Sequence, residues 1–246
     1  MKAAIIDLLL AAIVVICGWT GYKKGIIMGI GGILVIIVSL YGANLLASTF
    51  SSAAIPVLRP FAAGYVEGKI EGKADGSAPG ILDQLGLDTS ATSLEDLIKA
   101  DPFLEQKVAE TAYESVGITA SAAQDMASDA GAYYADKGGL FTAALTEILC
   151  IRMAFVTCFI LAFLLILILL TVIGNLTNLS FKIPNLDLVN DVAGAVIGVF
   201  TGLVFCTILV WALKYMGAVI GGDTISKTLI AKSFMKADRL TKILRY

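Results

Sequence analysis

The side chains in this sequence that could do chemistry are a few acidic and amide groups placed in or beside long apolar stretches. An ionisable or strongly polar group at such a position is a candidate for lining a path for ions or small solutes. The set comprises Asp7, Asn44, Asn175, Asp187 and Asp191. Most of these residues lie near predicted helix ends, where capping and solvation at an interface explain them more simply. A channel lined by these residues is therefore a weaker interpretation than helix capping and solvation at the membrane interface.

Enzymatic and metal chemistry finds little support in the residue types. The chain has no histidine, so the commonest general base and the commonest metal ligand are both missing. Serine and aspartate are frequent between residues 75 and 136, but no base or motif accompanies them. All the cysteines lie in or beside apolar stretches, where they pack as small hydrophobic groups: Cys17, Cys150, Cys158 and Cys206. We therefore predict no catalytic, cofactor or metal site.

Four apolar stretches position these groups. The chain is 58% hydrophobic and 15% charged, and its mean hydropathy of +0.86 is outside the usual range for soluble domains. A helix needs about 20 apolar residues to cross a hydrocarbon core of about 30 Å. Each stretch is long enough or nearly so: Ala3–Thr20, Ile26–Ala47, Ile151–Gly174 and Val192–Leu213. The sequence predicts an all-α integral membrane protein with two transmembrane helical hairpins and a small helical extramembrane insertion.

The charged residues divide the chain further. Residues 48–144 carry six Lys and Arg against fourteen Asp and Glu, a net charge of −8, whereas the tail after Leu213 has a net charge of +5. The predicted domains are a first transmembrane hairpin at 1–47, an acidic and mostly helical extramembrane segment at 48–144, a second hairpin at 145–213 and a basic amphipathic tail at 214–246.

Local signals predict helices within the acidic segment. Ser93 is predicted to cap one helix, and Asp101, followed by proline, to begin the next. Ala120–Asp136 is rich in alanine, serine and aspartate and is predicted to form a weaker helix. Earlier in the segment, Pro56 and Pro60 bracket a short stretch that we expect at the membrane interface.

The tail combines an apolar face with basic residues, which suits a helix lying on a membrane surface. The apolar face consists of Ile230, Phe234, Ala237, Leu240 and Leu244. Each cation near anionic headgroups contributes roughly 1 kcal/mol of binding, so membrane lipid is the predicted partner. Nucleic acid is not, because no basic residues are interleaved with aromatic ones. Arg152 is predicted to anchor the third apolar helix by reaching to the interface, and a functional charge is the weaker alternative.

Glycine recurs at every fourth position in the second arm of each predicted hairpin. The two ladders are Gly21, Gly25 and Gly29, and Gly194, Gly198 and Gly202. A helix face of this kind lets another backbone approach closely, which is a main source of helix association in membranes. We predict that both ladders serve helix packing, within the chain, in a homo-oligomer or with other membrane proteins. A sliding or gating surface is the weaker alternative.

The basic residues give conflicting evidence on orientation. Four crossings put the acidic segment and the tail on one side, with the Lys23-Lys24 turn and Lys182 on the other. The positive-inside rule, applied to the tight turn, places that turn in the cytoplasm, whereas the basic tail argues for the reverse. We expect a multi-pass protein of the cytoplasmic membrane with its acidic segment outside the cytoplasm.

Three motifs resemble the colicin V production protein (CvpA) family. They are Asp7 with Gly21-x-x-x-Gly25, the run Asn190-Asp191-Val-Ala-Gly194-x-x-x-Gly198-x-x-x-Gly202, and Ser226-x-x-Leu229 after the last apolar helix. The matches fall in both hairpins and the tail, so the acidic segment looks like an insertion relative to short family members. Asp191 stands where many members have arginine, and no role that needs that cation is expected here.

The resemblance implies a four-span inner-membrane protein linked to the production or export of a peptide toxin and to envelope homeostasis. It implies no reaction and no cofactor. A small channel or transporter is the alternative function, with the intramembrane acidic and amide residues along its path.

Overall fold

The structure, a computed structural model, describes residues 2–70, 81, 85–86, 94–176, 187–215 and 228–236. The regular structure in these residues is α-helical, which confirms the predicted fold class. The helices are α1 (Lys2–Ile70), α2 (Leu94–Ala100), α3 (Pro102–Ser115), α4 (Ala120–Lys137), α5 (Phe141–Leu176), α6 (Asp187–Tyr215) and α7 (Leu229–Lys236).

Three of these helices, α1, α5 and α6, are long and apolar enough to cross a membrane. Their outward faces carry large exposed apolar side chains, among them Leu8, Leu161 and Val196. Exposing such faces to water costs free energy, whereas contact with lipid chains does not. A helix satisfies its own backbone hydrogen bonds, so it is stable in lipid. The protein is therefore a multi-pass membrane protein.

Helix α1 is broken at Gly25, which divides it into two arms. Gly25 has φ 75° and ψ −179°, a conformation that side-chain-bearing residues rarely adopt. On one side of the break, Gly21 lies against Gly194 of α6, and on the other side Gly29 lies against Ile197. The chain therefore reverses at Gly25. The sequence placed the turn at Lys23-Lys24, but the first arm stays helical to Lys24 and Gly25 alone makes the reversal.

The first of two compact units contains the described residues within Met1–Thr49, Thr157–Leu213 and Thr224–Tyr246. Its core includes Leu10, Phe159 and Cys206, all with no exposed surface. Phe159 meets the ring of Trp211 edge to face, with 5.1 Å between ring centroids. Aromatic pairs of this geometry contribute about 0.5–1.5 kcal/mol beyond the area they bury, so they help to hold α5 against α6.

The second compact unit contains the described residues within Phe50–Val156 and Lys214–Asp223. Helix α3 begins as predicted, because the Asp101 carboxylate accepts the backbone N–H of Phe103 at 2.9 Å. Helix α4 buries one face, which includes Ala123, Met126 and Ala130, and the side chains of Tyr113 in α3 and Phe141 in α5 are also fully buried. The predicted cap Ser93 lies outside the described residues.

Two helices continue through positions where the composition changes, and the predicted domain bounds stay a prediction. The expected interfacial stretch between Pro56 and Pro60 is not separate, since α1 continues through both prolines to Ile70. The predicted start of the second hairpin at residue 145 falls inside α5, and the compact units divide between Val156 and Thr157 of the same helix. Composition indicates where polar residues become frequent, but α1 and α5 both extend beyond their apolar stretches.

Tyr113 should make the second unit sensitive to alkaline pH. Its hydroxyl donates to the Leu145 carbonyl at 3.0 Å, and burial, reinforced by the negative charge of Asp129, raises the pKa of the phenol above its ordinary value. The neutral phenol therefore stabilises the folded unit below about pH 10, and this contribution is lost as the pH rises further. We expect thermal stability of the full chain in detergent to fall above that pH.

The Tyr113→Phe variant tests this cause. It should lose about 1 kcal/mol at neutral pH through the missing hydrogen bond, yet show a weaker decline between pH 9 and 11. Tyr133→Phe, on α4, is the matched control and should follow the wild type. An alkaline decline that is unchanged in Tyr113→Phe would contradict the assignment.

Candidate functional site

The first arm of α1 packs against α6 through glycines of both ladders. A Cβ atom added to Gly21 would lie 2.8 Å from the Cα of Gly198 and would also meet the carbonyl oxygen of Gly194. A Cβ added to Gly194 would lie 2.8 Å from the Cα of Gly25. Real Cβ atoms essentially never come within 3.0 Å of other heavy atoms. The two backbones therefore approach this closely only because neither helix has a side chain there.

The remaining ladder glycines extend the contact. A Cβ on Gly202 would lie 2.8 Å from the Cα of Val14, and one on Gly198 would meet the backbone of Cys17. Gly29 lies on the second arm, where its Cβ position is 2.9 Å from the Ile197 side chain. All six predicted packing glycines thus lie in helix contacts. The break at Gly25 nevertheless splits the first ladder between two arms, whereas the sequence pattern placed it on one helix face.

Asn190 of α6 contacts the chain at the point where α1 reverses direction. Its side chain is buried, and its Oδ1 accepts the backbone N–H of Ile26 at 3.0 Å. Ile26 begins the second arm, so its N–H lacks a partner within its own helix. The amide of Asn190 fills the space beside Gly25 where a Cβ would be. One α6 side chain therefore caps the second arm and fits the glycine at the turn.

Asp7 makes a comparable contact at the other end of the first arm. Its Oδ1 accepts the backbone N–H of Ile230 at 3.1 Å, in the first turn of α7. A carboxylate at this position satisfies an unpaired N–H and interacts favourably with the helix dipole. Asp7 therefore holds the start of the tail helix.

The two caps lie one membrane thickness apart. Eighteen residues of continuous helix beginning at Asp7 lead to Gly25, a rise of about 27 Å at 1.5 Å per residue. The hydrocarbon core of a bilayer measures about 30 Å. The separation of the two polar contacts along the first arm is therefore close to the thickness of a hydrocarbon core.

The other predicted polar residues do not gather into one site. Asn44 and Asp191 are half-buried, and Asp191 follows Asn190 at the end of the bundle opposite Asp7. Asn44 Oδ1 is buried and has no hydrogen bond to any part of the chain that the structure describes. The side chains of Asn175 and Asp187 lie outside the described residues.

Arg152 belongs to the second unit. Its guanidinium pairs with the carboxylate of Asp129 on α4, and a second ion pair joins Arg59 to Glu147 at 2.7 Å. Interface anchoring by Arg152 stays a prediction, and the residue that it pairs with in the structure belongs to the acidic segment. Pairing across 23 residues of sequence has no local signature, so composition alone could not indicate it.

Metal binding has no visible basis in the described residues. No group of three or more cysteine, aspartate or glutamate side chains converges among them. The four cysteines, all within described helices, are free thiols.

The Asp7 contact leads to a prediction about the tail. Asp7→Ala removes the acceptor at the start of α7, which should cost about 1 kcal/mol of local stability. Trypsin cleavage within the tail of the reconstituted protein should then be about fivefold faster. Asp7→Asn, which keeps an acceptor oxygen, should have a smaller effect, and Asp191→Ala serves as the charge-matched control. Equal cleavage rates in all four proteins would exclude a holding role for Asp7.

Comparison with known families adds an independent observation. Residues 122–239 match the family model described as colicin V production protein. The matched part contains Arg152, Asn190 and the ladder of α6, and it confirms the family resemblance drawn from the sequence. The first arm, with Asp7 and Gly21, lies outside the matched range. No curated protein and no solved structure matches the chain.

Proposed function

We propose that this membrane protein supports toxin production, secretion or envelope homeostasis without acting as an enzyme, because residues 122–239 match the family model described as colicin V production protein. The observation that carries the proposal is the glycine contact between the first arm and α6, with Asn190 capping the second arm. Such a bundle is suited to hold its helices in one arrangement and to present the outer faces to partners.

The partner face is proposed to lie on the second arm. The ladder glycines already contact helices of the same chain, so they are not free for another protein. Gly31 and Gly32, in contrast, have no heavy atom within 4 Å of their Cβ positions. Small residues on a spanning helix let a neighbouring helix approach. We propose a homo-oligomer, or association with another membrane protein, through this part of the second arm.

Energy transfer between labelled copies in liposomes tests the association. Gly32→Leu should reduce self-association about tenfold or more, while the folded protein keeps its helix content. Gly64→Leu is the matched control, because Gly64 also has open space at its Cβ position but lies in the second unit. Identical energy transfer in both variants would exclude this face from self-association.

The cellular role is tested with the same pair of variants. Cells that carry Gly32→Leu in place of the wild-type chain should admit more of an impermeant dye or export less toxin. Cells with Gly64→Leu should resemble the wild type. If even complete deletion of the protein leaves both properties unchanged, the proposed role fails.

We further propose four membrane crossings in the inner membrane, with the acidic segment outside the cytoplasm. The two arms of α1, together with α5 and α6, supply the crossings. A single cysteine at Lys137→Cys, in a chain without its native cysteines, reports the side, because Lys137 is exposed at the end of α4. Labelling of intact cells by an impermeant maleimide is expected. Labelling only after lysis would reverse the orientation.

A channel or transporter is the second candidate function. The observation in its favour is that Ser39 Oγ and Asn44 Oδ1, both in the second arm, are buried without a hydrogen-bond partner among the described residues. Such atoms in a membrane are satisfied by water or a polar solute. Flux through reconstituted protein that is lost in Asn44→Leu would favour this function, and liposomes without flux would exclude it.

A further inference from the structure

The end of the first arm carries an exposed cluster of aromatic and basic side chains. The cluster consists of Trp19, Tyr22, Lys23 and Lys24. Trp19 and Tyr22 are 62% and 40% exposed, whereas Gly21 and Gly25 beside them are buried against α6. The same helix turn therefore packs one face inside the bundle and presents the cluster on the other.

Contacts between the side chains of the cluster hold three of them in place before any ligand binds. The rings of Trp19 and Tyr22 stack with 6.2 Å between centroids and 22° between planes. Lys23 Nζ lies 5.3 Å from the centroid of the Trp19 ring, within the range of a cation–π contact. Neither Lys23 nor Lys24 pairs with a carboxylate in the described part of the chain, so both ammonium groups keep donors for another acceptor.

The position of the cluster indicates which partner it meets. Val15 and Ile16, one turn earlier, are also exposed, so an apolar outer face continues directly into the two aromatic rings. Apolar side chains followed by Trp and Tyr and then by Lys are arranged as a bilayer is, from acyl chains to glycerol to headgroup. The reversal at Gly25 ends the crossing immediately after the lysines.

We propose that Trp19, Tyr22, Lys23 and Lys24 form a binding surface for the headgroup of an anionic phospholipid. The indole and phenol rings lie at the level of the glycerol, and the two ammonium groups bind the phosphate, whose negative charge is not neutralised by a cation in the same headgroup. Because Lys23 already lies over the Trp19 ring, little side-chain freedom of Lys23 is lost on binding. This surface is separate from the tail and does not depend on the proposed cellular role.

Fluorescence quenching by brominated lipids tests the surface on the full chain in liposomes. The sequence has two tryptophans, and Trp211 is buried, so Trp211→Phe leaves Trp19 as the reporter. At low salt, the affinity of brominated phosphatidylglycerol for the site around Trp19 should exceed that of phosphatidylcholine about fivefold or more. This ratio follows from roughly 1 kcal/mol of binding per lysine. High salt should remove the preference.

Paired variants identify the groups responsible. Lys23→Gln with Lys24→Gln should bring the preference close to one, whereas Lys137→Gln, an exposed lysine of α4, should leave it unchanged. If Trp211→Phe does not fold, the wild-type chain with Trp19→Phe as the blank gives the same measurement. Equal competition by the two lipids would overturn the proposal. So would an absence of quenching by either lipid, which would mean that protein covers Trp19.

Discussion

Replacing Gly21 with alanine is expected to destabilise the folded bundle by about 3 kcal/mol, the upper end of the usual effect of overpacking. The added methyl group would overlap backbone atoms of Gly194 and Gly198 rather than flexible side chains. A backbone in a regular helix cannot move locally, so the first arm and α6 would have to separate along their whole contact. Reversible unfolding in mixed micelles, followed by helix content, measures the loss.

Gly31→Ala is the control for this prediction. Gly31 lies in the second arm of the same helix, and its Cβ position has no neighbour within 4 Å. In micelles that hold single copies, the substitution should change stability by less than about 1 kcal/mol, because within one chain only helix propensity is altered. If both variants lose the same stability, close approach at Gly21 is not what holds the two helices together.

Asn190→Leu is expected to have a comparably large effect, about 2–4 kcal/mol. The substitution removes the acceptor of the Ile26 N–H and leaves that donor unpaired in a part-buried site. It also forces a branched apolar group against Gly25, where the amide now fits closely. The second arm should lose its fixed start, and exchange of the Ile26 amide hydrogen should accelerate.

Asn44→Leu is the matched substitution, with the same residue types in another spanning segment. Asn44 Oδ1 is buried without a hydrogen bond among the described residues, so leucine removes an unfavourable polar atom and should be neutral or slightly stabilising. A large loss in Asn44→Leu together with none in Asn190→Leu would reverse this interpretation of the two amides.

Sequence reasoning was most successful where the signal is local. The apolar stretches predicted α1, α5 and α6 because membrane insertion depends on a run of about 20 apolar residues and on little else. The cap at Asp101 was equally predictable, since a short polar side chain before a proline satisfies the first turn of its own helix.

The contacts that organise the candidate site could not be predicted in the same way. Glycine spacing indicated packing, but whether Gly25 continues a helix or breaks it depends on Asn190, which approaches from 165 positions later in the sequence. The partner of Asp7 lies 223 residues away, and Arg152 pairs with a carboxylate on another helix. A polar residue in a pattern shows that a partner is needed, and only the fold supplies its identity.

The Asn190 cap also fixes an order of events during synthesis. Asn190 follows Ile26 by 164 residues, which a ribosome adds in roughly 10–30 s at 5–20 residues per second. Until Asn190 has been added, the turn between the two arms lacks the side chain that completes it. The N-terminal hairpin is consequently an unfinished intermediate until α6 arrives, and this interval is when insertion factors or other proteins have access to the bare glycine face.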